Sequence, residues 1–463
     1  MGMGEQDAGR LVDGLRRTFD SGRTRPIAWR QRQLSRLDEL LKDHEDVFLA
    51  ALGSDLGKAP TESFVTEVAF LRSELAHARR NLRRWLRPRR VPVPAVAMPA
   101  RASTVLEPLG VALIIAPWNY PLMLALSPLI GALAAGDAVI VKPSELAPDT
   151  SRAIADLLPR YLDPEAVAVV EGGVDETTAL LAQRFDTIFY TGSGRVGRIV
   201  MEAAAKHLTP VTLELGGKSP AYVDDAVDLR VVARRLVWGK FIAAGQTCVA
   251  PDYIMASPAT ARRLAPLLAD AVAEQYGTAI GDNSDYARIV DERQFDRLVS
   301  LLDDGTVASG GRHDRTRLFI EPTVLTGVAP DSAVMHQEIF GPILPVVEVT
   351  DADDAIARIT AGDKPLALYV FSDDAETRRR FVTRTSSGAI VFDAAVIHLS
   401  VPGLPFGGVG ASGMGGYHGR RSVEVFSHEK ALLSKPLTPD TLALLRPPYT
   451  AKRIAIVRAL LGR

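Results

Sequence analysis

Val111-Ala-Leu-Ile-Ile-Ala-Pro-Trp-Asn-Tyr-Pro121 reads as an apolar strand that breaks into a proline-bounded turn. Further on, Ala138-Val-Ile-Val-Lys-Pro-Ser-Glu145 repeats the design, a short apolar run ending in polar residues. The stretch from Pro108 to Gly136 carries no charged side chain, and by length alone it reaches across a bilayer. Pro117, Pro121 and Pro128 interrupt it, however, and Asn119 sits in its middle. A buried strand, a turn and a helix explain it better than a membrane span.

The same alternation continues outward. Val111–Ala116, Ala138–Val141, Val167–Val170 and Thr187–Tyr190 are strand-like, with helical stretches between most of them. A second series after Glu214 contributes Ala221–Val223, Ile254–Ala256, Ile343–Val349 and Ala367–Phe371. Repeated β–α alternation implies an α/β protein with parallel sheets and crossover helices. Upstream, Leu37, Leu40 and Leu41 recur at helical spacing, so the chain as far as Leu86 reads as helices. Val91 to Ala100 alternates Val, Pro and Ala, which suits an edge strand or hairpin. Gly403 to Gly419 is dense in glycine and reads as loop, after which Val423–Ser427 and Leu432–Leu433 are expected to return as strands.

At 463 residues the chain is long enough for two or three domains. Its net charge of -1 gives no pull toward nucleic acid or anionic lipid. The Arg79–Arg90 cluster, with Glu62, Glu67 and Glu74 just upstream, reads as a solvated or intersubunit helix end. One cysteine excludes an intramolecular disulfide and suits a reducing, cytoplasmic setting. The N-terminal residues lack the apolar core of a signal peptide. With eight His and that one Cys, no metal site is expected. The terminal stretch Tyr449 to Arg463 sets Ile454, Val457, Leu460 and Leu461 on one helical face, which more often packs on protein than on a membrane.

Cys248 stands in Gly245-Gln-Thr-Cys248. A lone cysteine is usually an inert core residue, but Gln246 and Thr247 are odd company for one, and a helix or loop N-terminus there would favour the thiolate. Glu214, in Leu213-Glu-Leu-Gly-Gly-Lys218, shares a strand face with Thr212. It is a solvent-facing carboxylate, or, if that face is covered, a general base with a raised pKa. Asn119 follows a strand end, where an amide can serve an oxyanion or simply cap the turn. Lys142, Ser144 and Glu145 end the next strand; an acidic group there can take ribose hydroxyls, or the pair can cap a helix. Thr191-Gly192-Ser193-Gly194 with Gly197 forms a strand, a glycine turn and a helix start, suited to a phosphate. Glu338 and Phe340 flank a turn in Glu338-Ile-Phe-Gly-Pro342, placed to grip a ribose and a nicotinamide face or, equally, to form a surface turn.

In this order the motifs resemble the aldehyde dehydrogenase superfamily from about Leu11 to Pro436, with Leu404-Pro-Phe-Gly-Gly-Val-Gly410 and Ser412-Gly413 completing the set. Trp238-Gly-Lys240, Ala250-Pro-Asp-Tyr253 and Gly413-Met-Gly-Gly-Tyr-His-Gly419 look like class 3, which includes fatty and aromatic aldehyde dehydrogenases. The resemblance implies two doubly wound parallel-sheet domains, a Rossmann-like cofactor domain (1–90 and 108–213) and a catalytic domain (214–398). Bridging segments (91–107 and 399–438) would build a homodimer, and 439–463 would form a tail. It implies oxidation of an aldehyde to an acid, with Cys248 as nucleophile, Asn119 and the Cys248 N–H holding the oxyanion, and Glu214 activating water on a thioester. NAD, with NADP as the alternative, would lie along Trp118, Lys142, Ser144, Glu145, Thr191, Gly192, Ser193, Gly197, Leu215, Glu338 and Phe340. The rival readings are a coenzyme A-acylating dehydrogenase and a non-catalytic relative of the fold. Phe392, where the family often has asparagine, puts the shape of the substrate pocket in question, and Gln337 replaces a frequent glutamate.

Overall fold

A computed structural model describes residues 3–461. Strand Val111–Ile115 is buried throughout, and its alternating side chains feed two separate apolar clusters. Val111, Leu113 and Ile115 meet Val12, Leu15 and Phe19 of helix Glu5–Asp20 and Val200 of helix Gly194–Ala205. Ala112 and Ile114 face the other side, where helix Pro121–Ala135 contributes Leu122, Leu126, Leu129 and Leu133. Cover on both faces lets an apolar run without polar alternation stand as a parallel strand. The charge-free stretch is therefore strand, turn and interior helix. Among the described residues no helix is long and apolar enough to cross a membrane.

The first sheet has six strands in the order Gly413–Met414, Val211–Glu214, Thr187–Thr191, Val111–Ile115, Ala138–Lys142, Val167–Val169. Only the first pair is antiparallel. The chain runs outward from Val111–Ile115 in one direction, then returns to its other side at Thr187–Thr191. Open α/β sheets take ligands past the carboxyl ends of their strands at such a reversal. A second sheet orders Thr306–Ser309, Thr323–Thr326, Ile343–Glu348, Tyr253–Ala256, Pro220–Val223, Ala367–Phe371 and Ala389–Phe392. It is parallel except at its first pair. Tyr222, Met255, Leu368 and Val370 meet Ile356 and Phe381 on one face, while Ala221, Ile254, Tyr369 and Phe371 join the main core on the other. A three-stranded antiparallel sheet places Arg101–Pro108 between Arg89–Val91 and Ser427–Ser434.

Several expectations need correction. Val423–Ser427 is not a strand; helix Arg420–Val425 occupies most of it, docked on Pro121–Ala135, and the strand starts at Ser427. Gly131 permits that docking, because a Cβ there would lie 2.8 Å from the Ser422 Cβ. Within Val91 to Ala100 only Val91 is in a strand, since the prolines remove ladder donors. The glycine-rich loop supplies one short strand, Gly413–Met414, against Glu214 and Leu213. Glu67 and Glu74 are buried, so they do not screen the surface arginines; Asp38 pairs with Arg72 and Arg79 instead. The terminal helix Ala451–Leu461 forms, with Leu461 exposed.

Candidate active site

The reversal in the first sheet opens into a cleft of ≈ 590 Å³ that reaches across to the second sheet's loops. Trp118, Asn119, Lys142, Ser144, Glu145, Thr191, Gly192, Ser193, Glu214, Leu215, Cys248, Glu338 and Phe340 all line it. Gly197 stands just behind, where a Cβ would come within 3.0 Å of Leu215 Cδ2. Residues dispersed from 118 to 340 thus share one wall.

Cys248 ends a loop built on unusual backbone. Ala243 and Ala244 take left-handed conformations (φ +51° and +52°), and Gly245 follows at +76°. Gly245 allows close approach to the Gly341 carbonyl, which a Cβ would meet at 2.3 Å. Gln246 is a brace: its Nε2 donates to the carbonyls of Ala243 (3.0 Å) and Arg288 (2.9 Å), and its Oε1 accepts the Val290 N–H at 3.0 Å. Thr247 Oγ1 lies 2.7 Å from the Tyr120 hydroxyl. The thiol is half-buried. It is not held as the thiolate that a loop N-terminus was expected to favour. Burial, with the Glu338 and Glu214 carboxylates nearby, pushes it up to about 12, against the smaller pull of the Cys248 and Val249 N–H groups.

Asn119 does not cap its own turn. Its Nδ2 donates to the Gln246 carbonyl at 2.9 Å, tying it to the Cys248 loop and leaving the second N–H of the amide unassigned. Glu214 does not face solvent. It is 2 % exposed, neither carboxylate oxygen has a partner among the described residues, and burial lifts its pKa well above the usual carboxylate range. Gly407 makes room for it, since a Cβ there would stand 3.2 Å from Oε1.

At the other end of the cleft, Lys142 Nζ donates to Glu145 Oε2 at 2.9 Å. Neither Ser144 nor Glu145 caps the next helix, which starts at Pro148; the Ser144 hydroxyl accepts the Leu146 N–H in a local turn. Gly192 (φ +156°) turns the chain where a Cβ would strike the Tyr190 hydroxyl at 2.3 Å, and Ser193 caps helix Gly194–Ala205. The positive end of that helix opens on the cleft, an arrangement that favours phosphate. Glu338 lies against Gly216, where a Cβ would sit 2.0 Å from its Oε2. Desolvation, reinforced by Asp252, raises its pKa to about 8. Phe340 meets Trp118 edge to face at 5.4 Å between ring centroids. A cleft lined by the Glu145 and Glu338 carboxyls and by the N-terminus of helix Gly194–Ala205, with Glu338 Oε1 lacking a partner among the described residues, fits a dinucleotide.

Some braces went unread in the sequence. Lys218 pairs with Asp252 and donates to the carbonyls of Val334 (2.7 Å) and Gln337 (3.0 Å), while Asp252 Oδ1 accepts the Ile339 N–H at 3.0 Å. Together they hold the loop bearing Glu338. Arg297 donates to the Ile339 carbonyl at 2.6 Å and, more distantly, to Gln337 Oε1 at 3.4 Å. Lys218 and Asp252 both lie in quoted motifs, but no local pattern pairs them. Phe392 packs on the cluster of Tyr222, Leu368 and Phe381, with the Arg378 guanidinium over its ring, so its bulk goes into that cluster.

Known proteins share this chain's sequence and fold over nearly its full length. It is 47 % identical over 447 residues to rat aldehyde dehydrogenase family 3 member A2, covering 96 % of this chain and 92 % of the relative. It is 48 % identical over 444 residues to human aldehyde dehydrogenase family 3 member B1, covering 96 % and 95 %. The substrate-bound AldH of Staphylococcus aureus superposes with a TM-score of 0.95 at 41 % identity, covering 97 % of this chain and 98 % of that one. The aldehyde dehydrogenase family model matches residues 2–432, and the chain belongs to that family, whose general reaction is NAD(P)-dependent aldehyde oxidation.

Proposed function

We propose that this aldehyde dehydrogenase forms and then hydrolyses a thioester on Cys248. One observation carries the reading: Glu214, a buried carboxylate whose two oxygens have no partner among the described residues, lines the same cleft as the half-buried Cys248 and Asn119. The Cys248 sulfur bonds to the aldehyde carbon as its proton passes to the ionised form of Glu214, which releases it to solvent before the hydrolytic half of the reaction. The carbonyl electrons move to oxygen, held by the free Asn119 N–H and the Cys248 backbone N–H. NAD, when bound, would supply the hydride acceptor. Collapse of the oxyanion expels hydride and leaves the thioester. Glu214 takes a proton from water, whose oxygen attacks the thioester carbon; the carbon–sulfur bond breaks and the acid departs. Lys142 and Glu145 would hold the adenosine ribose, Thr191 to Ser193 the pyrophosphate, and Glu338 with Phe340 the nicotinamide end.

NAD is the preferred cofactor, because the Glu145 carboxylate opposes a 2′-phosphate. The chain divides as 1–90 with 108–213, 214–398, and a bridge of 91–107 with 399–438. The exposed length of edge strand Ser427–Ser434 supports a homodimer built on that bridge. The single cysteine supports a cytoplasmic setting.

The mechanism is tested with two variants and a simple aldehyde, without coenzyme A. Cys248→Ala abolishes both NADH formation and the acyl adduct in intact-mass spectra. Glu214→Gln gives a first burst of NADH and accumulates the adduct; normal steady turnover in that variant rules out the assigned base. NADH release without coenzyme A also separates hydrolysis from acyl transfer.

A further inference from the structure

The segment from Lys58 to Val68 buries ionic groups beside the Asn119 turn. Lys58 and Glu67 have fully enclosed side chains, with Nζ 2.6 Å from Glu67 Oε1. Lys58 Nζ also donates to the Asn119 carbonyl at 2.9 Å and stands 3.9 Å over the Tyr120 ring. Glu67 Oε2 accepts the backbone N–H groups of Leu122 (2.9 Å) and Met123 (3.0 Å). Those donors belong to the first turn of helix Pro121–Ala135 and have no acceptor within it. The pair therefore grips the turn from both ends. Between those grips, the Asn119 amide and the Tyr120 hydroxyl reach the nucleophile loop at Gln246 and Thr247.

Stability alone gives little reason for this pair. Taking two charges out of water costs several kcal/mol each, and apolar residues of similar volume often serve a fold as well. What an ion pair does, and methyl groups cannot, is fix the directions of one carbonyl and two N–H groups. Glu67 also lies in Phe64–Val68, a turn of i to i+5 hydrogen bonding set into the helix, a rare feature found often at functional sites. Glu62, on the adjoining turn, accepts the Ala243 N–H at 3.0 Å, in the left-handed stretch ahead of Cys248. One short segment thus braces both catalytic loops.

We infer that Lys58 and Glu67, given the reading of Asn119 as oxyanion donor on which this rests, are positioning residues that aim the Asn119 amide and so set the rate of carbon–sulfur bond formation. The test is a mutant cycle on the first turnover of the full chain, followed as NADH formation in stopped flow at saturating NAD and aldehyde. Lys58→Met with Glu67→Gln removes both charges at nearly constant volume and strands neither. That paired variant slows the first turnover by about 10–100-fold, the scale of a misplacement within 1 Å. The NAD dissociation constant, read by fluorescence titration, stays within about twofold of the parent, since the pair does not line the cofactor end. Asn119→Ala alone slows the first turnover about 10²–10³-fold, and adding the paired change costs no more than about twofold further.

An equal loss in both backgrounds, or no loss in the parent, overturns the positioning role. An Asn119→Ala enzyme with the parental first-turnover rate overturns the oxyanion reading itself. Should the paired variant not fold, Glu67→Asp keeps both charges and shortens the reach by one methylene. It must show a smaller loss with the same dependence on Asn119, and a parental rate in it overturns the role.

Discussion

Glu214→Gln removes a specific pH dependence from the stability of this enzyme. The Glu214 carboxyl is 2 % exposed and has no partner among the described residues, and burial holds its folded pKa well above the usual range. In the unfolded chain it titrates near ~4.3. Between those two values the folded protein keeps a proton that the unfolded chain releases. Stability is then lost as pH rises, by about 1.4 kcal/mol per pH unit across the window. Below the unfolded value this group adds no slope, and above the folded value the slope ends. Glutamine has the same shape and no proton to lose, so all other titrations cancel when variant and parent are compared. Urea denaturation of both proteins at pH 5, 6 and 7 measures the gap directly. The variant should gain on the parent as pH rises, by about 1.4 kcal/mol per unit for as long as the pH stays below the folded pKa of Glu214. Parallel profiles would mean that Glu214 is already ionised in the folded state, and the desolvation argument would fail. On the proposed mechanism the same raised pKa should make thioester hydrolysis quicken with pH, because only the deprotonated carboxylate can accept a proton from water.

Three other outcomes follow from the cleft. With the Cys248 thiol pushed up to about 12, its alkylation by iodoacetamide should rise about tenfold per pH unit from pH 7 to 10; a plateau below pH 9 would contradict the raised thiol pKa. Glu145→Ala removes a carboxylate from the ribose end, and kcat/KM for NADP relative to NAD should increase about tenfold or more, the scale of one like-charge contact; an unchanged ratio would free Glu145 of any part in selectivity. Gly216→Ala puts a Cβ where Glu338 Oε2 lies, 2.0 Å away, and the displaced carboxylate should cost about 10²-fold in kcat/KM for NAD; wild-type kinetics would show that Glu338 does not need that position.

Much of this protein was legible before any coordinates. Strand Ala367–Phe371 coincides with its apolar run, and Val111, Ala138 and Thr187 each open a strand where the pattern changes. Such signals are local: burial on both faces demands an unbroken apolar run, and proline or glycine marks where it stops. Cys248, Glu214 and Asn119, which line the cleft, could also be singled out in the sequence: Asn119 breaks a charge-free apolar run, Glu214 stands just before a glycine pair, and Cys248 follows the polar Gln246 and Thr247. Less was visible where the cause was distant. Val423–Ser427 reads as a strand, yet its first three residues close helix Arg420–Val425, which docks against Gly131 and its neighbours. Thr323–Thr326 and Ala389–Phe392 are too short to signal themselves and depend on their partners in the sheet.

What the chain carried in its own order was the inventory: which side chains could attack, donate or accept a proton, and the β–α rhythm that delivers them to loop ends. Tertiary structure alone decided their state. Whether Glu214 met water or core, whether Cys248 was thiol or thiolate, and which lysine and glutamate would brace the Asn119 turn all depend on desolvation and on contacts between remote segments. A local sequence window contains neither, since the dielectric around a group is set by whatever the rest of the chain packs against it.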